Sequence, residues 1–351
     1  MSSNSGASSQ AAARHAFEAA PLARYLRGRL PGFEEPMQVS QFEGGQSNPT
    51  YRLRTPSRTY VLRRKPPGPL LPSAHAVDRE FRVMQALRDS EVPVPRMMLY
   101  CDDPEVVGTA FFVMEFLEGR VFWDPTLPGI DAGQRTALYD EMNRVLACIH
   151  RVDVDAVGLG DYGRQGRYVQ RQIERWTRQY RASQTDRIDE MERLIEWLPA
   201  HAPEGDETGL VHGDFRIDNL VFDRAESRVL GVLDWELSTL GHPLVDFAYH
   251  AMLWRVPGNT FRGLSDADLG ALGIPSEDAY LRRYCERTGR ERIDHWDFYI
   301  AFNLFRIAAI LQGIMSRALE GNAASAHALQ EGQRVRPLAS IGWAQAQRIG
   351  S

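Results

Sequence analysis

Residues 210–247 constrain the chain most, because they place two acidic residues at the ends of short apolar runs. Asp214 follows the first run, Asn219 comes five residues after Asp214, and Asp234 ends a second run of valine and leucine residues. The apolar runs on either side of the polar segment 223–227 predict a β-hairpin. Because a hairpin brings the beginning of one strand near the end of the other, we expect Asp214, Asn219 and Asp234 to converge on one small volume.

Three side chains that donate oxygen atoms in this way suit a hard cation, since Mg²⁺ prefers carboxylate and carbonyl oxygens together with substrate phosphates. Phosphoryl transfer of the protein-kinase type uses one aspartate to accept the proton of the attacking hydroxyl. An asparagine five residues later and a second aspartate hold the metal ions. The spacing makes Asp214 the candidate catalytic residue, with Asn219 and Asp234 as metal ligands. In the alternative interpretation, Asp214 and Asp234 are loop carboxylates that cap turns.

The motifs HGDFRIDN, at residues 212–219, and VLDWE, at 232–236, resemble the signature of the aminoglycoside phosphotransferase and choline kinase superfamily. The resemblance extends from about residue 35 to residue 345. It implies an α+β, two-lobed, protein-kinase-like fold with a small antiparallel sheet lobe and a larger, mainly helical lobe. It also implies ATP, or GTP, as co-substrate with Mg²⁺. Within this pattern, His212 is expected to hold the catalytic loop through hydrogen bonds, and Asp246 is expected to brace that loop.

The length of the chain independently favours two lobes, because 351 residues exceed what one hydrophobic core usually supports. We predict a disordered tail over residues 1–15, since this segment is rich in serine, alanine and glycine. An N-terminal nucleotide-binding lobe is predicted over 16–118, and a C-terminal catalytic and substrate lobe over 119–351.

Composition and charge argue against several other classes of protein. Hydrophobic residues make up 43% and charged residues 25% of the chain, the balance of a soluble globular protein. The net charge of -5 gives no reason to expect nucleic acid as a partner, and the longest apolar runs are interrupted by charges and fall short of a membrane span. The first residues do not resemble a signal peptide, and the three cysteines lie far apart without metal-binding spacing. We therefore expect a reduced, cytoplasmic protein with no membrane partner.

A glycine-containing loop separates two predicted strands, at 37–42 and 50–53. Small residues in such a loop let backbone N–H groups approach anionic oxygens, and a cluster of these donors binds phosphate. The segment resembles the nucleotide loop of the superfamily, although the alternative interpretation is an ordinary hairpin turn. The candidate phosphate-binding residues are Gly44, Gly45, Gln46, Ser47 and Asn48.

The next predicted strand, at 59–65, ends in three cations. In the kinase plan this strand carries a cation for the α- and β-phosphates, which pairs with a glutamate on the following helix. The resemblance places Arg63 where most relatives have lysine, and arginine can also bind phosphate because it is always charged and bidentate. Arg64 and Lys65 are neighbours, so the assignment could slip by a residue. Glu80 is the candidate partner, or else a solvated helix carboxylate.

A buried strand over 109–119 ends in a polar, glycine-terminated segment that resembles a kinase hinge. The resemblance places adenine against the backbone here, with the carbonyl of Glu115 as acceptor and the N–H of Leu117 as donor.

The remainder of the chain is predicted to be largely helical, with helices at 132–151, 168–182, 187–198, 277–288 and 294–318. Beside the apolar stripe of the 168–182 helix runs a basic stripe, consisting of Arg171, Arg175 and Arg178. It is either a solvated face or a surface for an anionic substrate such as a coenzyme A phosphate. Arg306 and Gln312 interrupt an otherwise apolar helix and are weaker candidates for the substrate site.

Several segments, among them VLRRKPPG and HGDFRIDNLVF, look most similar to the kinase domain that is fused to acyl-CoA dehydrogenases. This subgroup implies transfer of the γ-phosphoryl group to the hydroxyl of a small molecule, such as a 4-hydroxyacyl-CoA. The alternatives are an aminoglycoside or other small-alcohol phosphotransferase, and a non-catalytic nucleotide-binding scaffold. We do not expect dehydrogenase activity, since two lobes leave no room for a flavin-binding domain. Composition does not distinguish a monomer from a dimer.

Overall fold

A computed structural model describes residues 17–42, 48–68, 75–205, 207–321 and 328–349. The predicted disordered tail at 1–15 lies outside these residues. The chain divides into two compact units. The first extends to Arg120 and also includes Val221–Arg224 and Leu230–Glu236, and the second contains the rest. The first boundary therefore falls within two residues of the predicted one. The segment that carries Asp234, however, groups with the first unit instead of the second.

The first unit is built on a five-stranded antiparallel sheet with the order β1-β2-β3-β5-β4. Its strands are β1 (Gln38–Gln41), β2 (Thr50–Arg54), β3 (Thr59–Arg64), β4 (Met97–Cys101) and β5 (Phe111–Glu115). In β2 buried and exposed residues alternate, whereas β3 and β5 in the middle of the sheet are buried almost throughout. A central position explains this difference, because these two strands are covered on both faces.

Three helices accompany the sheet: α1 (Ala19–Leu26), α2 (Val77–Leu87) and the short α3 (Pro104–Val107). The apolar side of α1 packs into a core formed with the sheet, to which Leu22, Leu53 and Leu62 contribute. The helix α2 contacts β4 and β5, and its residue Glu80 is buried although it is charged. A buried carboxylate requires a partner, and the site described below supplies one.

Two short two-stranded sheets surround the motifs found in the sequence. The predicted hairpin is present, formed by β7 (Leu220–Phe222) and β8 (Val229–Val232). In the second unit, the strand before Asp214, β6 (Gly209–Val211), pairs with β9 (Thr239–Gly241), which the sequence did not predict. The pairing places residues 212–214 directly after the end of a paired strand.

Helices form most of the second unit. They are α4 (Ala132–His150), α5 (Tyr168–Ser183), α6 (Asp189–Ala200), α7 (Pro243–Ala251), α8 (Gly258–Phe261), α9 (Leu269–Leu272), α10 (Glu277–Thr288), α11 (Trp296–Leu319), α12 (Ala328–Gly332) and α13 (Val335–Gln347). Side-chain hydrogen bonds cap the N-termini of several helices. The side chain of Asp131 accepts from the N–H of Gln134 at the start of α4, and that of Ser276 accepts from the N–H of Ala279 at the start of α10.

The helix α11 forms the centre of the second unit and contacts α5, α7 and α13. By length and composition it could cross a membrane, contrary to the expectation that no segment reaches this threshold. However, 83% of its most apolar window is buried inside the protein. The central helix of a globular unit meets the same criteria, so this observation is weak evidence for a membrane span.

Candidate active site

In the first unit, Arg63 at the end of β3 is the centre of a charged network. Its Nε atom lies 2.9 Å from Oε2 of Glu80, and its Nη2 atom forms an ion pair with Oδ1 of Asp234. The same Nη2 atom is 3.7 Å from Oε2 of Glu236. The side chains of Arg63 and Glu80 are only 12% and 2% exposed. The predicted pair between Arg63 and Glu80 is therefore present.

Burial and like charge act together on this network. Burial, together with the nearby carboxylates of Asp234 and Glu236, raises the pKa of Glu80 to about 8 against the opposing attraction of Arg63. Burial disfavours the charged form of Arg63, but its three carboxylate neighbours outweigh this effect and raise its pKa above the ordinary value. Arg63 thus remains a fixed positive charge surrounded by acidic groups.

The backbone at Asp234 is unusual. Its φ angle is +65°, in the left-handed region that residues other than glycine rarely adopt. A 3₁₀ turn at Trp235–Leu237 follows, and the indole Nε1 of the fully buried Trp235 donates to the carbonyl of Val232 at 2.9 Å. Backbone conformations of this type are often retained at functional sites, where the surrounding structure enforces them.

Asn48 is the one member of the predicted phosphate-binding loop that the structure describes, since Gly44, Gly45, Gln46 and Ser47 lie outside the described residues. Its side chain is 1% exposed. The Nδ2 atom of Asn48 donates to Oε2 of Glu236 at 3.2 Å, and Nδ1 of His75 lies 3.1 Å from its Oδ1 atom. Asn48 therefore connects the end of the loop to the acidic network.

The neighbours of Arg63 have other partners. Arg64 is buried and donates to the carbonyl of Val107, and Nζ of Lys65 lies 3.6 Å from Oδ1 of Asp78. Among these three cations, Arg63 alone pairs with the motif residue Asp234 in the described structure. This observation supports the original assignment over the one that is shifted by a residue.

The predicted hinge lies at the end of β5. Glu115 is the last residue of the strand, where its N–H donates to the carbonyl of Arg96 at 3.0 Å. Leu117 follows beyond the strand, and a Cβ atom at Gly231 would come within 2.4 Å of Leu117 Cδ1. Because Gly231 has no side chain, the side chain of Leu117 can pack directly against it. The role of Glu115 and Leu117 in adenine binding stays a prediction.

In the second unit, three side chains hold the carboxylate and the loop position of Asp214. The hydroxyl of Tyr249 donates to Oδ1 at 2.5 Å, and Nε of Arg216 lies 3.2 Å from the same oxygen. Asn219 Nδ2 donates to the Asp214 carbonyl at 2.9 Å and to its Oδ2 atom at 3.2 Å. The side chain of Asp214 is 21% exposed, so the carboxylate is positioned and still accessible.

A buried carboxylate braces the backbone just before Asp214, as expected. Oδ2 of Asp246 accepts from the N–H of His212 at 2.7 Å, and Oδ1 accepts from the N–H of Gly213 at 2.8 Å. Burial alone would raise the pKa of Asp246, but hydrogen bonds from His150 and the His212 amide hold it below the ordinary value. Asp246 therefore stays ionised and fixes two backbone groups of the loop.

The two histidines of this region serve the loop by hydrogen bonding. Nδ1 of His212 accepts from the N–H of Asp214 at 3.2 Å, in agreement with the predicted holding role. His150 places Nε2 3.2 Å from Oδ2 of Asp246 and Nδ1 2.6 Å from the Tyr284 hydroxyl.

Only one of the two weaker substrate-site candidates on α11 lies beside the catalytic loop. Arg306 Nη2 donates to the carbonyl of Gly213 at 2.8 Å, and its guanidinium lies 5.2 Å from the ring centre of Tyr249. Gln312 instead donates to the Ser183 carbonyl and the Thr185 hydroxyl. Gln312 thus connects α11 to the end of α5 and to the segment that follows it.

Beside the catalytic loop, the second unit contains a cavity of about 130 Å³, which we call the loop cavity. Arg216 contributes to it, together with Asp218 and Arg262, whose side chains lie 3.4 Å apart. The apolar part of its lining consists of Trp123, Pro125, Ile217, Leu253 and Phe261. Glu331 and Arg334 complete its lining. The loop cavity therefore combines an apolar wall with three arginines and two carboxylates, and Arg216 connects it to Asp214.

The donor atoms of the two predicted metal ligands fit Mg²⁺. Nδ2 of Asn219 makes both bonds to Asp214, which leaves Oδ1 for a cation, and Asp234 uses Oδ1 for Arg63, which leaves Oδ2. Within the described ranges, no group of three or more histidine, cysteine, aspartate or glutamate side chains is arranged to hold a metal.

The predictions from the sequence do not include Tyr249 or Glu236 among the site residues, and they include Arg306 only as a weaker candidate. Glu236 is part of the VLDWE motif, so the motif itself could have indicated its role. Burial and the nearby Asp214 carboxylate raise the pKa of Tyr249 well above the ordinary value, so its hydroxyl remains a donor. No local pattern around Tyr249 indicates this contact.

The sheet unit, the helical unit and the residues they carry define a phosphotransferase, and the chain belongs to this class. The profile of the phosphotransferase enzyme family (APH) matches residues 38–296. A crystal structure of a provisionally assigned aminoglycoside phosphotransferase from Ralstonia eutropha is 52% identical, with a TM-score of 0.88, over 95% of this chain and 99% of that one. The predicted family and fold class are thereby confirmed.

Among curated proteins, the chain is 49% identical to mouse acyl-CoA dehydrogenase family member 10 over 325 residues. The match covers 92% of this chain but only 30% of that protein, so the chain spans less than a third of its length. A more distant structure, aminoglycoside phosphotransferase APH(4)-Ia in complex with AMP-PNP and hygromycin B, is 16% identical with a TM-score of 0.62. It covers 92% of this chain and 98% of that one, and supports the fold alone.

Proposed function

We propose that this protein transfers the γ-phosphoryl group of ATP to a hydroxyl group of a small molecule, and that the acceptor is a hydroxyacyl-CoA. The observation that carries the proposal is the arrangement around Asp214. A carboxylate is held by Tyr249, Arg216 and Asn219 on a loop that Asp246 fixes from behind. This is the arrangement that a base for an incoming hydroxyl requires.

In the proposed reaction, Asp214 orients the acceptor hydroxyl and accepts its proton. The hydroxyl oxygen forms a bond to the γ-phosphorus while the bond between that phosphorus and the β,γ-bridging oxygen breaks, so ADP leaves. Little covalent chemistry is required of the protein, because phosphoryl transfer depends mainly on positioning and charge neutralisation.

The first unit is proposed to bind the nucleotide. Arg63, which Glu80 holds in place, would neutralise phosphate oxygens, and the backbone at Glu115 and Leu117 would bind adenine. Asn219 Oδ1 and Asp234 Oδ2 would hold Mg²⁺, which neutralises phosphate charge when it is bound. The proposal requires Arg63 to exchange part of its contact with Asp234 for phosphate oxygens.

The acceptor assignment rests on the loop cavity and on the relatives. A polycationic aminoglycoside favours an acidic lining, whereas this cavity has an apolar wall and one more arginine than carboxylates: Arg216, Arg262 and Arg334 against Asp218 and Glu331. An aliphatic chain with a hydroxyl group in its interior could place the hydroxyl at Asp214 and one end in the cavity. The name of the mouse relative refers to acyl-CoA, which supports a hydroxyacyl thioester. Dehydrogenase activity is not part of the proposal.

The test is ADP release from Mg·ATP against a panel of acceptors, with Asp214→Asn as the blank. The panel contains 3- and 4-hydroxyacyl-CoAs, aminoglycosides, choline and small hydroxy acids. We expect release that depends on a hydroxyacyl-CoA and is absent in the blank. Stimulation by an aminoglycoside alone would overturn the acceptor assignment but leave the kinase assignment standing. ATP binding without stimulation by any acceptor would favour the scaffold alternative.

The expected cytoplasmic location remains part of the proposal. The three cysteines, Cys101, Cys148 and Cys285, are buried and form no disulfide within the described structure. Reduced thiols of this kind are typical of a reducing compartment.

A further inference from the structure

A concentration of positive charge in the described helical unit lies at a second cavity, on and before α5. This cavity of about 370 Å³ is lined by Arg164, Arg167, Arg171, Glu174 and Arg178, with the backbone of 165–166 between them. Four arginines against one glutamate give its lining a formal charge of +3. We call it the arginine cavity.

Helix geometry explains why these residues share one surface. Positions 167, 171, 174 and 178 are separated by four, three and four residues, which is the spacing of one helix face. Arg175 is not part of this lining and instead lies 5.2 Å from the ring centre of Trp176. The basic stripe predicted from the sequence therefore divides, and Arg171 and Arg178 belong to the cavity while Arg175 does not.

The arginines of this lining differ in their exposure and in their contacts. Arg164, Arg167 and Arg178 are exposed, and Arg171 donates from Nη2 to the carbonyl of Arg164 at 2.8 Å, which holds the loop against the helix. Within the described ranges, no carboxylate pairs with Arg164 or Arg178. Two guanidinium groups without a carboxylate partner, on a lining with net positive charge, attract a ligand with more than one phosphate, because arginine binds phosphate oxygens bidentately.

The helix that carries the arginine cavity also contacts a side chain that supports the catalytic loop. Arg306 donates to the Gly213 carbonyl, and its guanidinium also lies 5.7 Å from the ring centre of Trp176 on α5. Trp176 is not part of the cavity lining and lies on the other side of α5 from Glu174 and Arg178, and a helix with its side chains is about 10 Å wide. A ligand that occupies the cavity and reaches Asp214 must therefore be long, with its phosphates separated from its hydroxyl by an extended arm.

We propose that the arginine cavity binds the phosphate groups of the coenzyme A portion of the acceptor, while the hydroxyl of its acyl chain lies at Asp214. Coenzyme A has the required chemistry: a diphosphate and a phosphate monoester at one end, and a long pantetheine arm that leads to the thioester. This inference rests on the proposed function, since it concerns the acceptor of the same reaction.

The first experiment measures binding of coenzyme A itself to the full chain by calorimetry. The test variant is Arg164→Gln/Arg178→Gln, and the matched control is Arg175→Gln, a cation on the same helix that does not line the cavity. We expect affinity to fall by at least about ten-fold in the test variant, since hydrogen bonds to charged groups are among the strong ones. The control should stay within about two-fold of the wild type, the range of context-dependent variation in such contacts.

The second experiment compares a 4-hydroxyacyl-CoA with the matching 4-hydroxyacyl-pantetheine, which has the same acyl chain and thioester but lacks the nucleotide. The wild type should show a lower KM for the coenzyme A substrate at similar kcat. The test variant should lose this difference while its KM for the pantetheine substrate stays unchanged. A variant that merely weakened the fold would affect both substrates alike.

The outcomes separate this inference from the proposed function. Equal KM values for both thioesters in the wild type and the test variant would show that the arginines are a solvated face only, with the kinase function intact. Binding of coenzyme A that depends on the arginines, without phosphorylation of either thioester, would overturn the assignment of this cavity to the acceptor.

Discussion

The two units hold their key aspartates by different physical means. In the first, Asp234 is held by the charge of Arg63, which a second, buried carboxylate holds in turn. In the second, the loop before Asp214 is fixed by hydrogen bonds from two amides to Asp246, and by Arg306 on the Gly213 carbonyl. The backbone of this loop therefore has its partners within the second unit.

This difference matches the ligands proposed for each unit. A network of opposite charges responds to an incoming phosphate and its cation, because these change the balance of charge at Arg63 and Asp234. A base must instead be positioned before the substrate arrives, since its value in catalysis depends on geometry. We therefore expect changes in the first unit to alter nucleotide binding, and changes around Asp214 to alter turnover. Four measurements test this division, from the largest expected effect to the smallest.

Replacement of Asp214 by asparagine should have the largest effect. We expect kcat to fall by about 10³-fold, equivalent to about 4 kcal/mol, because a positioned general base contributes at this level. ATP should bind with nearly unchanged affinity in calorimetry, since the proposed nucleotide site lies in the first unit. Asp278→Asn, an exposed carboxylate of α10, is the matched control and should keep full activity. Near-normal turnover by Asp214→Asn would contradict the assignment of Asp214 as the general base.

The next effect concerns His250, which is buried behind the catalytic loop with Nε2 2.8 Å from the Tyr280 hydroxyl. Burial lowers its pKa to about 4, whereas an unfolded histidine has a pKa of about 6.5. The unfolded state therefore takes up a proton first as the pH falls. Stability present above pH 6.5 is lost between about pH 6.5 and 4, by about 3 kcal/mol.

Urea unfolding of the full chain at several pH values measures this loss. His250→Gln should show a shallower decline over that window, since it has no proton to take up. His201→Gln, at an exposed position, is the control and should follow the wild type. An equally steep decline in His250→Gln would mean that other groups cause the acid sensitivity.

Glu80→Gln tests the charged network of the first unit. The raised pKa of about 8 means that the wild-type carboxylate is ionised mainly above that pH, where its attraction for Arg63 is strongest. We expect KM for ATP to rise by about ten-fold at pH 9 and by less at pH 7, with the acceptor KM unchanged. Asp78→Asn, on the same helix and 52% exposed, is the control. An effect confined to the acceptor KM would contradict the division between the units.

The long helices could be predicted from the sequence because their periodicity is strong and local. The predicted bounds 277–288 are those of α10, and α4 differs from its prediction by one residue. The strand pair of β6 and β9 could not be predicted, since three residues are too few to show a period.

The candidate site shows the same contrast between residues that can be predicted from the sequence and contacts that cannot. One short segment fixes the spacing of Asp214, Asn219 and Asp234, so these residues can be identified from the sequence. Asp246 can be identified through the resemblance to the superfamily. The contacts that position them span larger separations: Tyr249 lies 35 residues from Asp214, and Arg306 lies 93 residues from Gly213. Such contacts arise from helix packing and leave no local pattern. The Arg63–Glu80 pair could be predicted only because the resemblance indicated the two positions.

The smallest effect is expected for Tyr249→Phe, and it separates positioning from stability. Loss of the hydroxyl removes one hydrogen bond to Asp214 Oδ1, while Arg216 and Asn219 still contact the carboxylate. We expect kcat to fall by about five-fold, the value of roughly 1 kcal/mol for one such bond, with KM for ATP unchanged. Tyr162→Phe is the matched control, because this buried hydroxyl bonds to Ser238 and not to the loop. If both variants lost the same turnover, general destabilisation would explain the effect. A loss in Tyr249→Phe alone would mean that the second unit uses this hydroxyl to hold its base in place.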